Sequence, residues 1–147
     1  MIRYVEGNIF DSEVQCLVNP INCVGVMGKG LALEFKHRYP DIYQFYVRAC
    51  SANELRVGGI AIYAMKKKPN RSVCLFPTKH HWKDKSTIEI LDKSFQAFIE
   101  YAPQMKIISV AFPKVGCGLG GLNFEHQVRP LFEKYFNDGK FEVEVYV

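Results

Sequence analysis

The feature that most constrains the fold is the alternation of short β-rich runs with longer amphipathic ones. Six runs have the composition of strands: IRYVE (2–6), VQCLVN (14–19), GGIAIYAM (58–65), SVCLFPT (72–78), KIISVAF (106–112) and FEVEVYV (141–147). Several are apolar throughout, as in strands buried within a sheet. The alternation covers residues 1–147 without repeats or a linker, which predicts one three-layer α/β/α domain. The final run alternates in polarity, which predicts a mixed sheet.

Apolar residues at helical spacing predict the helices that cover this sheet. Leu31, Phe35 and Tyr39 share a face until Pro40 ends the helix, and Asp41 is the predicted N-cap of the next one. Ser86 and Glu89 have the spacing of a capping box before a third helix. Its apolar stripe comprises Ile88, Leu91, Phe95, Phe98 and Ile99.

A last helix is predicted from Asn123 to about Phe136, and Pro130 should bend it. Its inward residues are Phe124, Val128, Leu131 and Phe132.

Composition narrows the class of protein. Hydrophobic residues make up 48% of the 147 residues, which excludes a disordered chain, and the formal charge of +4 is a mild basic bias compatible with a polyanionic ligand. The five cysteines form no CxxC pair and are predicted to be reduced thiols, which favours the cytoplasm. No run approaches the ~20 apolar residues of a membrane span, so we expect no membrane association.

The first glycine cluster lies in NPINCVGVMGKGLALEF (19–35), between a strand and a helix. There, backbone amides and the helix dipole favour an anion. Gly25, Gly28 and Gly30 do not have the spacing of a nucleotide-triphosphatase loop, and no hydroxyl residue follows Lys29. The pattern predicts a phosphate-binding turn of another kind, with an ordinary turn as the alternative.

The second cluster, VGCGLGG (115–121), formally satisfies GxGxxG at Gly116, Gly118 and Gly121. A dinucleotide-binding fold places that motif in its first βαβ unit, whereas here only one strand-like run follows. We therefore set aside an oxidoreductase and keep a second amide-lined turn for phosphate.

The third feature is the basic run FPTKHHWKDK (76–85) at a strand end. Its adjacent histidines lack an acidic or cysteine partner nearby, so we expect no metal site. Clustered positive charge and partial burial both lower the pKa of a lysine, which favours a nucleophilic amine. A solvated basic turn is the alternative.

Together these stretches resemble the macrodomain family, and most closely its DNA ADP-ribosyl glycohydrolase (DarG-like) branch. The matching stretches are VEGNIF (5–10), VNPINCVGVMGKGLALEFKHRYP (18–40), FPTKHHWKDKS (76–86) and FPKVGCGLGGLNFEHQVRP (112–130). The resemblance implies a mixed sheet sandwiched by helices, with ADP-ribose in a cleft at the strand ends and no cofactor.

The resemblance also implies the role of each loop. Asn8 and Ile9 would lie by the adenine, loop 25–30 around the distal ribose and loop 116–121 at the pyrophosphate. The implied ligand-binding set is Asn8, Ile9, Asn19, Asn22, Gly25, Val26, Met27, Gly28, Lys29, Gly30, Thr78, Val115, Gly116, Cys117, Gly118, Leu119, Gly120, Gly121 and Leu122.

By the same resemblance, Lys79 is the implied catalytic residue and Asn22 orients the scissile bond. Related enzymes that act on glutamate esters pair such a lysine with an aspartate in the second glycine loop, where this chain has Gly120. That departure favours the DNA-directed branch. Asn8 stands where many macrodomains carry an aspartate, which removes a charge at the adenine.

The function implied is hydrolysis of ADP-ribose from thymidine in single-stranded DNA, by a monomer, as an antitoxin to a cognate ADP-ribosyltransferase. The candidates for DNA contact are His80, His81, Trp82, Lys83 and Lys85. Rival substrates are ADP-ribosylated acidic side chains, O-acetyl-ADP-ribose and ADP-ribose 1″-phosphate. A non-catalytic ADP-ribose reader and a general nucleic-acid-binding module are the alternatives of another class.

Overall fold

The computed structural model describes all residues 1–147 and contains six strands and four α-helices. The strands are β1 (Ile2–Val5), β2 (Cys16–Ile21), β3 (Ala61–Ala64), β4 (Ser72–Pro77), β5 (Ser109–Pro113) and β6 (Glu142–Tyr146). The helices are α1 (Gly30–Arg38), α2 (Pro40–Ser51), α3 (Ile88–Tyr101) and α4 (Arg129–Phe136). Every predicted strand is confirmed. None of the helices has the length and apolar character needed to cross a membrane.

The strands form one sheet in the order β1-β6-β5-β2-β4-β3. All neighbours are parallel except β3, which runs antiparallel to β4. The mixed sheet is therefore confirmed, but the reason given for it was wrong, since β6 is parallel to both of its neighbours. The informative signal was the connection from β3 to β4, which is too short for the crossover that a parallel pair needs.

The two faces of the sheet bury separate hydrophobic clusters, as expected for a three-layer fold. One cluster contains Leu91, Phe95 and Phe98 of α3 together with Phe132 and Phe136 of α4. The other contains Phe35 of α1 with Ile42, Tyr46 and Ala49 of α2. The apolar stripes predicted for these helices are confirmed as core.

Two predicted helix starts were wrong by one or two residues. Pro40 ends α1 but also occupies the first turn of α2, where its missing N–H costs nothing, and Tyr39 rather than Asp41 is the N-cap. Thr87, not Ser86, caps α3, because the Thr87 side chain accepts a hydrogen bond from the Ile90 amide.

The last predicted helix is divided at the proline. Residues Phe124–Val128 form a π-helical turn, which the Asn123 side chain caps by accepting a hydrogen bond from the His126 amide. The α-helical part begins at Arg129, with Pro130 in its first turn. Pro130 thus starts a helix where a bend was expected, because its missing amide is harmless there.

Candidate functional site

Three loops meet at the carboxyl ends of the neighbouring strands β5, β2 and β4. We call residues 22–30 the first glycine loop, residues 79–86 the basic loop and residues 114–122 the second glycine loop. Because the three strands are parallel and adjacent, these loops lie along one edge of the sheet, where α/β proteins bind ligands.

Asn22 holds the first glycine loop in shape. Its Oδ1 accepts hydrogen bonds from the amides of Val24 (3.1 Å) and Val26 (3.4 Å), while its Nδ2 donates to the Val26 carbonyl oxygen at 2.7 Å. The hydroxyl of Tyr46 lies 2.7 Å from the same Oδ1 and 2.9 Å from the Asn22 carbonyl oxygen. Asn22 is buried, so its first effect is to order the loop, with one Nδ2 hydrogen left over.

The outer part of this loop presents unpaired amides. The N–H groups of Met27, Gly28, Lys29 and Gly30 make no hydrogen bond within the protein, and no side chain caps α1. Gly30 has a φ of +57°, a conformation that side chains other than glycine rarely adopt. The turn that begins α1 is therefore a concentration of hydrogen-bond donors at a helix N-terminus.

The basic loop is folded tightly around Asp84, a residue that the sequence analysis did not single out. The Asp84 carboxylate accepts a hydrogen bond from the His81 amide (2.9 Å), and His81 Nδ1 accepts one from the Lys83 amide (3.1 Å). The rings of His81 and Trp82 lie 5.1 Å apart, and the Lys83 ammonium lies 5.0 Å from the centre of the Trp82 ring. Trp82 remains 47% exposed, which leaves surface for a stacking partner.

Lys79 is fixed within this loop. Its Nζ donates a hydrogen bond to the Trp82 carbonyl oxygen at 3.0 Å. Partial burial lowers the pKa of Lys79, the positive charge of Lys85 lowers it further, and Asp84 opposes the shift. A larger fraction of Lys79 is therefore the free amine at neutral pH than for an ordinary lysine.

The second glycine loop also presents unpaired amides. The N–H groups of Gly118, Leu119 and Gly120 make no hydrogen bond within the protein, whereas those of Gly121 and Leu122 are bonded inside the loop. Three consecutive free donors are suited to binding phosphate oxygens.

Gly120 has no room for a side chain. A Cβ at this position would lie 2.5 Å from the Gly116 carbonyl oxygen and 2.6 Å from Ser86 Oγ. The sequence analysis noted that Gly120 replaces an aspartate of related enzymes; the packing shows that this loop conformation excludes one.

Backbone hydrogen bonds join the three loops. The Cys23 amide donates to the His80 carbonyl oxygen at 2.7 Å, and the Ser86 amide donates to the Gly120 carbonyl oxygen at 3.0 Å. The basic loop is thus hydrogen-bonded to a glycine loop on either side, through His80 and Ser86. The Lys79 ammonium bonds to Trp82, which lies between these two residues.

A cavity of about 320 Å³ contains the predicted adenine residues Asn8 and Ile9. Asn8 Oδ1 accepts a hydrogen bond from the Phe10 amide and so caps a short 3₁₀ turn. The other lining residues are Gly7, Phe10, Leu31, Glu34, Pro113 and Tyr146. Pro113 immediately precedes the second glycine loop and Leu31 follows the first, so this cavity lies beside both loops.

Not every predicted site residue faces solvent. Asn19 and Val115 are fully buried, so their side chains lie beneath the loops, while Ile9, Asn22, Met27 and Thr78 are between 2% and 6% exposed. Lys85, grouped with the DNA contacts, extends to the second glycine loop. The sequence analysis missed Tyr46, because a contact between a distant helix and a loop leaves no local pattern. It also missed Asp84, whose hydrogen bond to the His81 amide three residues earlier is local.

No group of three or more His, Cys, Asp or Glu side chains is arranged to hold a metal ion. The functional groups of the site are amides, one asparagine and lysines.

A sequence profile of the Macro domain family matches residues 18–130. This chain belongs to the macrodomain family. The macrodomain is 40% identical over 123 residues to the DNA ADP-ribosyl glycohydrolase of Thermus aquaticus, a match covering 83% of this chain and 34% of that protein. The chain therefore spans about a third of the length of that curated relative.

Solved structures agree with this assignment. The macrodomain of Mycobacterium tuberculosis DarG is 34% identical, with a TM-score of 0.92 over 99% of this chain and 97% of that one. Thermosipho africanus DarTG in complex with ADP-ribose is 36% identical, with a TM-score of 0.92 over 99% of this chain and 41% of that one.

Proposed function

We propose that this macrodomain binds ADP-ribose across the three loops and hydrolyses its bond to thymidine in single-stranded DNA. The observation that carries the proposal is the position of Lys79, an amine of lowered pKa held between two loops with free amides. The similarity to the Thermus aquaticus glycohydrolase supports the reaction, and the Thermosipho africanus complex supports the ligand.

In this proposal each loop binds one part of the ligand. The cavity at Asn8 and Ile9 takes the adenine, and the free amides of Gly118, Leu119 and Gly120 take the diphosphate. The first glycine loop surrounds the distal ribose, and the remaining Nδ2 hydrogen of Asn22 is directed at that sugar or its substituent. The exposed face of Trp82 and the Lys83 ammonium beside it meet the DNA.

The reaction then uses the Lys79 amine as a nucleophile. Its lone pair forms a bond to the anomeric carbon of the distal ribose, the bond from that carbon to thymine breaks, and the electron pair leaves with the base, which takes up a proton. The resulting glycosylamine opens to an imine when the bond from the anomeric carbon to the ring oxygen breaks and that oxygen takes up a proton. Water then adds to the imine carbon, the carbon–nitrogen bond breaks, and ADP-ribose and the free amine are released. Only the unprotonated amine can attack, so activity should rise with pH through the lowered pKa of Lys79.

The test is release of ADP-ribose from an oligonucleotide that carries ADP-ribosylated thymidine. Lys79→Ala should lose activity by at least about a hundredfold while retaining affinity for free ADP-ribose. Lys67→Ala is the matched control, because this exposed lysine follows β3 at the opposite end of the sheet and should leave the rate unchanged. Undiminished activity in Lys79→Ala removes this lysine from the mechanism.

Borohydride reduction during turnover tests the covalent step. An imine between Lys79 and ADP-ribose should be trapped as a stable adduct, seen as a mass increase in wild type and absent in Lys79→Ala. Tight binding of ADP-ribose without turnover of the modified oligonucleotide, O-acetyl-ADP-ribose or ADP-ribosylated peptides would instead identify a reader.

We also infer that this macrodomain acts opposite a cognate ADP-ribosyltransferase, since an enzyme that modifies DNA must supply its substrate. An adjacent transferase gene whose toxicity this protein suppresses, but Lys79→Ala does not, is the expected result.

A further inference from the structure

Lys85 points to the second glycine loop and not away from the protein. Its Nζ lies 3.4 Å from the Leu119 carbonyl oxygen. A Cβ built on Gly121 would lie 3.3 Å from Lys85 Cδ, so the aliphatic part of the lysine covers the backbone of Gly121. The long side chain therefore extends along the loop and ends with its ammonium at the position of Leu119.

The backbone next to Lys85 is fastened to the same loop. The Ser86 amide donates a hydrogen bond to the Gly120 carbonyl oxygen at 3.0 Å, and the close approach of Ser86 leaves no space for a side chain at residue 120. Two consecutive residues of the basic loop thus contact Leu119, Gly120 and Gly121. Lys85 is an exposed residue, and these contacts place its side chain along the second glycine loop.

The ammonium has unused donors beside unpaired amides. An ammonium carries three hydrogens, and Lys85 donates one, to the carbonyl oxygen of Leu119. The amides of Gly118, Leu119 and Gly120 are free in the same loop. A cation beside three free amides favours an anion, because the cation supplies charge and the amides supply directed donors.

We propose that Lys85 is a positioning residue that holds the second glycine loop and binds the diphosphate of ADP-ribose together with its free amides. This proposal rests on the proposed function, and it assigns Lys85 to the nucleotide and not to the DNA strand. Lys85 belongs to the same loop as Lys79, and its side chain then connects this loop to the loop that binds the diphosphate.

The experiment measures calorimetric affinity for free ADP-ribose, ADP and adenosine. Lys85→Met keeps the aliphatic cover over Gly121 but removes the ammonium, so its affinity for ADP-ribose and ADP should fall by about tenfold or more, with adenosine unaffected. Lys85→Arg should restore most of the affinity, because it returns the charge and the donors. Equal melting temperatures of these variants would show that the loop remains folded.

Lys83→Met is the matched control, since Lys83 is in the same loop but its ammonium lies over Trp82. It should weaken binding of the modified oligonucleotide and leave free ADP-ribose binding as in wild type. Wild-type affinity for ADP-ribose in Lys85→Met overturns this inference, as does equal weakening by Lys83→Met. If Lys85→Met weakens only the binding of the modified oligonucleotide, Lys85 contacts the DNA and not the diphosphate.

The result also separates this inference from the proposed function. If wild type binds ADP-ribose and Lys85→Met binds it equally well, only the role of Lys85 fails. If wild type does not bind ADP-ribose, both fail together.

Discussion

Asn22 shows how one largely buried side chain can organise a loop. Its amide group bonds Val24 and Val26 in the loop and receives the hydroxyl of Tyr46 from α2. Burial raises the pKa of Tyr46 well above its ordinary value, so the hydroxyl stays a hydrogen-bond donor at any physiological pH. The shape of the first glycine loop thus depends on a helix that does not touch the ligand in our proposal.

Tyr46→Phe tests this dependence. Without the hydroxyl, Oδ1 and the carbonyl oxygen of Asn22 lose a hydrogen-bond donor. This loss should lower the free energy of unfolding by about 0.5–1.5 kcal/mol and weaken ADP-ribose binding several-fold. Urea unfolding and calorimetry provide the two measurements. Tyr43→Phe, on the same helix, removes a hydroxyl that makes no hydrogen bond and should change neither quantity. Identical effects of both variants would contradict the role given to Tyr46.

Gly120→Ala tests the packing of the second glycine loop. The new methyl group would overlap the Gly116 carbonyl oxygen and Ser86 Oγ, so we expect a loss of roughly 1–3 kcal/mol in stability and reduced ADP-ribose affinity. Gly118→Ala is the control, because open space surrounds that position and its φ is not positive. Thermal unfolding distinguishes the two, and a Gly120→Ala protein as stable as wild type would show that the loop adapts.

The start of α3 depends on which of two adjacent hydroxyl residues caps it. Thr87 Oγ1 accepts a hydrogen bond from the Ile90 amide at 3.2 Å, while Ser86 Oγ is buried without a partner. Thr87→Ala should therefore lower the free energy of unfolding by about 1 kcal/mol. Ser86→Ala removes no hydrogen bond and should be close to neutral. Denaturant unfolding measures both losses. A larger loss in Ser86→Ala than in Thr87→Ala would support Ser86 as the cap, as the sequence predicts.

Helix α3 also shows which features the sequence predicts and which it does not. Periodicity placed Leu91, Phe95 and Phe98 in the core, because burial against a sheet requires apolar residues at helical spacing. Periodicity does not decide between Ser86 and Thr87, since both side chains can cap and only the tertiary fold, which turns Ser86 toward Gly120, separates them. The role of Pro40 was missed for a similar reason, because a proline that ends one helix is also favourable in the first turn of the next.

The sequence predicted the positions of the glycine loops and their free amides, but not the hydrogen bonds that join these loops to the basic loop. Glycines between a strand and a helix predict free amides, and both loops have them. The backbone hydrogen bonds from Cys23 to His80 and from Ser86 to Gly120 join residues far apart in the sequence. They follow from the strand order β5-β2-β4, which no single segment of the sequence encodes.

The central sheet couples the two hydrophobic clusters to the site. β2, β4 and β5 contribute residues to both clusters and also carry the three loops at their carboxyl ends. Disruption of either face should therefore disturb the same strands and the same loops. The prediction of one domain over residues 1–147 corresponds to a single cooperative unfolding transition.

Two conservative substitutions on opposite faces test that cooperativity. Ile42→Val, in the α1 and α2 cluster, and Ile107→Val, in the α3 and α4 cluster, should each lower the free energy of unfolding by about 0.5–1.5 kcal/mol. Far-UV circular dichroism reports the helices and strands, whereas the fluorescence of Trp82, the single tryptophan, reports the basic loop. In one cooperative unit the two probes give the same urea midpoint in each variant, and the two losses add in the double variant because the sites share no contact. A fluorescence midpoint below the dichroism midpoint in Ile42→Val alone would mean that the α1 and α2 face and the site loops unfold before the rest of the sheet.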